Sequence, residues 1–204
     1  MEITAEKIMQ QLSAGTQVAG VIAVFGEEGY YKDKIAAALP RAVFGDAAPE
    51  DREITVFERD TDIKEISAAV NTYPFFSGRS LVIIKDEKLW GGKDGGEKRK
   101  QQQEELAELL ADVPEHCQVL LLGEKIDKRG KLYKSLLKTA AMVECKSLKS
   151  YQLKPWLDEQ AALRGCRFDY EASQTIMEYL SVTDNAPLLL LEQEIEKLSV
   201  YAGE

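Results

Sequence analysis

The run Val18-Ala19-Gly20-Val21-Ile22-Ala23-Val24-Phe25-Gly26-Glu27-Glu28-Gly29-Tyr30-Tyr31-Lys32-Asp33 decides the class of fold. Val18 to Phe25 is dominated by Val, Ile and Phe, is too short for a helix and is bounded by glycines, which reads as a strand covered on both faces. From Gly29 or Tyr30 to Leu39 the composition turns helical. Pro40 is expected to close that helix, because proline has no amide to donate and crowds the preceding turn. Strand, glycine-bearing turn and helix in this order form the topology of a phosphate-binding loop.

Upstream, Thr4 can cap a short helix whose apolar positions Ile8 and Leu12 lie one turn apart, ended by Gly15. Downstream, Glu53 to Glu58 alternates in a second strand of high β-propensity. Thr61 is expected to cap the next helix, with Ile63, Ile66, Val70 and Tyr73 at helical spacing. Leu81 to Ile84 reads as a third strand, and Trp90 to Lys100 as a glycine-rich polar loop. A helix then resumes over Glu104 to Ala111, carrying Leu106, Leu109 and Leu110. Val119 to Leu122 makes a fourth strand, Leu132, Tyr133 and Leu136 mark a helix, and Ala141 to Cys145 gives a fifth strand. Strands alternating with helices imply a parallel sheet with crossovers.

Past Lys146 the strand signals stop. Trp156, Leu157 and Leu163, then Ile176, Tyr179 and Leu180, then Leu188, Leu191, Ile195 and Leu198 define three helices. Gly165 and Gly203 suit helix ends, and Asp169 and Asn185 suit N-caps. The expected organisation is an α/β domain over residues 1–147 and a small helical domain over 148–204.

Acidic residues outnumber basic ones by 35 to 26, and the net charge of -9 opposes autonomous binding to a phosphate backbone. Cys117, Cys145 and Cys166 are widely spaced with no CxxC pair, so neither a disulfide framework nor a zinc site is indicated. No apolar run approaches the ~18 residues that span a bilayer, and Met1-Glu2-Ile3-Thr4 does not open a signal peptide. A reducing cytoplasm is the expectation.

An α/β domain followed by three helices is the outline of an AAA+ ATPase module, so the phosphate loop must be tested residue by residue. The pattern G-x-x-x-x-G-K-[ST] finds Gly26, Tyr31, Lys32 and Asp33 at its four defining places, and only Gly26 and Lys32 fit. Tyr31 cannot let amides wrap a phosphate as glycine does, and Asp33 lacks the hydroxyl that would meet magnesium. Glu27 and Glu28 would occupy the electropositive helix start and repel phosphate. Asp86 and Glu87 are displaced one residue along the strand by Lys85, which turns them to the wrong face. His116 and Cys117 read as a polar turn before a strand rather than a dyad. Two alternatives stay open on these residues: a divergent ATPase using Lys32 and Asp86, and a DNA-binding protein using the basic clusters Lys98 to Lys100 and Lys125 to Lys134.

Thr72-Tyr73-Pro74-Phe75-Phe76-Ser77-Gly78-Arg79-Ser80 places three aromatics in a turn, where solvated polar residues are the rule. Adjacent Phe75 and Phe76 cannot easily both face inward. Either Tyr73 and Phe76 cap the core with Phe75 half covered, or the pair anchors a partner.

The chain resembles the delta subunit of the bacterial DNA polymerase III clamp loader along its whole length. The resemblance rests on Val24-Phe25-Gly26-Glu27-Glu28, on Pro74-Phe75-Phe76-Ser77-Gly78-Arg79 with Leu81 to Lys85, and on Asp127-Lys128-Arg129 with Lys131-Leu132-Tyr133-Lys134. It continues through Tyr151-Gln152-Leu153, Trp156 and Leu191 to Leu198. It implies an AAA+-like domain that binds no ATP, a helical lid, and no cofactor or metal. It also implies a third, collar domain that this sequence does not contain. The implied role is non-catalytic: binding the beta sliding clamp and helping to open the ring for loading onto primed DNA, within a DNA-directed DNA polymerase holoenzyme. Tyr73, Pro74, Phe75 and Phe76 would form the clamp contact, with Phe75 and Phe76 in a hydrophobic pocket. Implied partners are the clamp, gamma/tau and delta-prime type loader subunits, and primed DNA through the assembled complex, with no membrane. Leu189 falls about where active lids place an arginine against nucleotide.

Overall fold

The computed structural model describes residues 1–16, 18–58, 61–85, 96–181 and 188–202, leaving aside the side chains of Lys98, Arg99 and Ser181. The chain divides into two compact units, Met1–Cys145 and Lys146–Glu204.

In chain order the first unit contains β1 (Glu2–Ile3), α1 (Ala5–Ser13), β2 (Val21–Phe25), α2 (Gly29–Phe44), a 3-10 turn (Pro49–Asp51), β3 (Glu53–Phe57), α3 (Ile63–Asn71) and β4 (Ser80–Ile84). It continues with α4 (Glu97–Leu109), β5 (Cys117–Gly123), α5 (Lys131–Thr139) and β6 (Ala140–Glu144). The strands form one sheet in the order β1-β6-β2-β5-β4-β3, with every neighbouring pair parallel. Parallel neighbours require crossovers, and helices supply them. Every residue of β2 and of β4 is buried, which is why both read as unbroken apolar runs.

One face packs Val21, Ala23, Phe25, Val82, Ile84, Val119 and Leu121 against Ile66 and Val70 of α3, Leu106 of α4 and Leu110 at its C-cap, and Leu132 and Leu136 of α5. Removing each such side chain from water stabilises by roughly 2 kcal/mol. On the opposite face Ile22, Val24, Leu81 and Leu120 are also buried. There α2 packs against β4, β5 and α1.

Several expectations need correction. The sheet gains β1, two residues beside β6, too short to produce a periodic signal. Pro40 lies inside α2, which runs on to Phe44. The lost amide bond costs about 3 kcal/mol, but burial of Val43 and Phe44 continues the Ile35–Leu39 stripe and offsets it. Asp62, not Thr61, caps α3, its carboxylate accepting from the Lys64 amide at 3.0 Å while Thr61 is buried. α3 ends at Asn71, so Tyr73 leaves the apolar stripe. α4 starts at Glu97 rather than Glu104, because Glu, Lys and Gln are strong helix formers even without an apolar face. Residues 86–95, including Asp86, Glu87 and most of the glycine-rich loop, lie outside the described residues.

The second unit contains α6 (Ser150–Ala162), α7 (Tyr170–Ser181) and α8 (Leu188–Ala202). Asp169 Oδ1 accepts from the Ala172 amide at 2.8 Å, and Gly165 takes φ +72° just beyond the end of α6. Leu153, Trp156, Leu157, Ala161, Leu180, Leu188 and Ile195 are buried. Leu163, Tyr179 and Leu198, expected on packed faces, are exposed, because each helix buries only a narrow seam and these residues flank it. Arg164 links α6 to α8, its Nη1 donating to the Gln160 carbonyl at 3.0 Å and its Nη2 lying 3.2 Å from Glu192 Oε1. Asn185 and Gly203 lie outside the described residues.

Candidate protein-interaction site and the altered phosphate loop

Both features lie in the first unit, and each begins with a backbone turn at the end of a secondary-structure element. At the end of β2, Gly26 adopts φ +134°, and a Cβ built there would stand 2.0 Å from the Cys145 carbonyl oxygen. Only glycine fits such a close backbone approach. The Cys145 amide donates to the Phe25 carbonyl at 2.7 Å and the Glu28 amide to the Cys145 carbonyl at 3.1 Å, so the end of β6 is stitched across the turn. Burial pushes the Cys145 thiol up to about 12, keeping it neutral within this turn.

The helix start is occupied by the chain's own groups. Glu28 caps α2, its Oε1 accepting from the Tyr30 amide at 2.9 Å. Lys32 Nζ turns back and donates to the Gly26 carbonyl at 2.8 Å. Tyr31, in the place of the second loop glycine, is buried with Tyr30, the rings meeting edge-on at 5.1 Å. Asp33 is exposed. A carboxylate, an engaged ammonium and two packed phenols thus take the positions where a phosphate loop would present amides to an anion.

The aromatic turn is built differently. Below it, Asn71 Nδ2 donates to the Ser67 carbonyl at 2.8 Å and Thr72 Oγ1 to the Ala68 carbonyl at 2.7 Å, finishing α3. Pro74 is buried and pins the chain. The amides of Phe75 and Phe76 both donate to Glu53 Oε1, the latter at 2.9 Å. Ser77 Oγ donates to the Arg79 carbonyl at 2.7 Å, and Gly78 at φ +66° turns the chain into β4.

With its backbone held this way, the turn leaves Phe75 88%, Tyr73 71% and Phe76 68% exposed. The rings of Phe75 and Phe76 touch edge-on at 5.1 Å, and Tyr73 leans on His116 at the same separation. Tyr73 and Phe76 therefore do not cap the core. Of the four residues expected together, Pro74 is the inward one and the three aromatics are the outward ones. Glu53 had no signal in the sequence, since it meets the turn across more than twenty intervening residues.

The other candidates carry less. Burial raises the Cys117 thiol's pKa, which disfavours a nucleophilic thiolate beside His116. In the cluster Lys125 to Lys134, Lys128 meets Glu144 at 2.8 Å, Arg129 meets Asp127 at 3.7 Å and Lys131 meets Glu104 at 2.6 Å, so much of its charge is locally balanced. Among the described residues no group of three potential metal ligands comes together, and no helix is long and apolar enough to cross a membrane.

A parallel sheet of order β6-β2-β5-β4-β3 in the first unit, with three helices among the described residues of the second, defines an AAA+-like protein; here the phosphate loop is filled by the chain's own side chains. The family described as DNA polymerase III, delta subunit, matches residues 25–146, more than half of the chain, and the chain belongs to that family. It is 28% identical over 191 residues to the Bacillus subtilis (strain 168) DNA polymerase III subunit delta, covering 92% of this chain and 54% of that one. The solved structure of a Bacillus subtilis DNA clamp loader delta protein superposes with a TM-score of 0.74 at 26% identity, covering 98% of this chain and 58% of that one. The chain thus spans about half the length of these relatives.

Proposed function

We propose that this chain is the clamp-engaging portion of a clamp-loader delta subunit, a non-catalytic part of the DNA polymerase III holoenzyme. Tyr73, Phe75 and Phe76 bind the beta sliding clamp, Phe75 and Phe76 entering a hydrophobic pocket while Pro74 fixes the turn from inside. The single observation that carries this reading is the exposure of Phe75 and Phe76 on a backbone already tied down at both amides. A soluble domain gains nothing by holding two phenyl rings in water, whereas rigid aromatic anchors dominate interface energetics. Helix α3, which delivers the chain to this turn, then stands beside the ring interface and stabilises its opened form.

The side-chain occupancy of the phosphate loop supports a subunit that responds to nucleotide only through neighbouring gamma/tau and delta-prime type subunits, and the paired basic cluster supports contact with primed DNA only through the assembled loader. Work in the cytoplasm follows from this role. Hydrogen exchange of the chain with and without the beta clamp tests the contact. Amides from residue 73 to residue 79 should slow on binding, and protection confined to the second unit would overturn the assignment.

A further inference from the structure

We infer that Glu53 is the positioning residue of the aromatic turn: one carboxylate oxygen accepts the amides of both Phe75 and Phe76 and holds the two rings in their outward arrangement before any partner arrives. The inference rests on the proposed reading of the turn as a partner-binding element, and it concerns how the turn is kept ready.

Three observations on different elements converge on Glu53. It opens β3, and in the parallel ladder it pairs with Ser80, the first residue of β4 and the end of the turn. The turn is therefore anchored to the sheet itself. Two successive amides converge on a single anionic oxygen, a charge-assisted arrangement stronger than bonds to water. The rings gain little from each other, sharing one edge contact, and both remain mostly exposed. Without the carboxylate, the segment from buried Pro74 to Arg79 would keep, among the described residues, the Ser77–Arg79 bond as its one internal hydrogen bond. Its ordering would then oppose association, since loop and side-chain immobilisation reduces binding free energy.

Three variants of the chain separate positioning from charge. Glu53→Gln keeps an acceptor oxygen at the same reach, Glu53→Ala removes it, and Glu53→Asp keeps the charge but withdraws the oxygen by one methylene. Amide exchange at Phe75 and Phe76, measured by NMR without partner, should accelerate about tenfold or more in the Ala and Asp variants and much less in the Gln variant. Affinity for the purified beta clamp should fall in the same order, with Gln within about threefold of wild type and Ala and Asp weakened about tenfold. Thermal midpoints should stay together, because the site is at the surface.

Unchanged exchange at both amides in the Ala variant would overturn the inference. So would a Gln variant that loses as much affinity as Ala while its exchange stays native, which would make Glu53 a charge contact. If the wild type failed to bind the clamp, the exchange data would still decide the role of Glu53, and only the reading of the turn's partner would fail.

Discussion

Replacing Gly26 by alanine attacks the turn that converts a phosphate loop into a closed strand junction. At φ +134° an L side chain adds about 1–3 kcal/mol of backbone strain. The new methyl would stand 2.0 Å from the Cys145 carbonyl oxygen and 2.6 Å from its carbon, both main-chain atoms that cannot swing aside. Relieving that overlap requires the end of β6 to retreat by about 1 Å, a distance that breaks the bonds from Cys145 to Phe25 and from Glu28 to Cys145, each contributing about 1 kcal/mol. The sum is about 3–5 kcal/mol against a total of about 10 kcal/mol for a unit of this size, so the variant should fold but lose a large part of its stability. Urea unfolding followed by circular dichroism should show the midpoint falling by ~2 M with the slope unchanged. Gly29→Ala is the control: its Cβ would meet nothing within 4 Å, and stability should change by no more than about 0.5 kcal/mol. A Gly26→Ala loss below about 1 kcal/mol would refute the reasoning.

Three further outcomes are expected. With a disulfide reagent at pH 8, the partly exposed Cys166 should react in the native protein while buried Cys117 and Cys145 react only after unfolding; a thiol pushed up to about 12 is ionised in only about one molecule in ten thousand at that pH. Tyr133, whose hydroxyl donates to Glu2 at 2.8 Å, is pushed up to about 12 by burial and then by that carboxylate. Between pH 10 and 12 the folded chain therefore holds a proton that the unfolded chain has lost, so stability should fall with rising pH across that window, and Tyr133→Phe should remove that part of the slope. Phe75→Ala alone should leave the urea midpoint within error, since the ring is already in water, and a clear loss of stability would mean that it packs somewhere in the folded state.

Strands β2, β4 and β5 were legible because burial on both faces leaves an unbroken apolar run, and Asp169 because a capping carboxylate acts within three residues of its own position. Pro40 misled because its local cost is visible in sequence, whereas the compensating burial of Val43 and Phe44 is tertiary. The first turns of α4 are hidden in the sequence for the opposite reason: a helix stabilised by propensity on a solvated face leaves no periodic stripe to read. At the turn, the adjacency of Phe75 and Phe76 carried its own warning, since neighbouring residues rarely share a buried face. What holds them was illegible. Glu53 reaches those amides only because the parallel register sets the start of β3 beside the start of β4, and nothing within either segment announces that pairing.

In the proposed function, Phe75 and Phe76 are the anchors for the beta clamp. The most direct test of that role is calorimetric titration of the purified clamp with the wild-type chain and with the Phe75→Ala, Phe76→Ala double variant, at matched thermal stability. Removing both anchors should cost at least ~2 kcal/mol, a weakening of about 30-fold or more. Equal affinity of the two chains for the clamp would rule out Phe75 and Phe76 as its anchors.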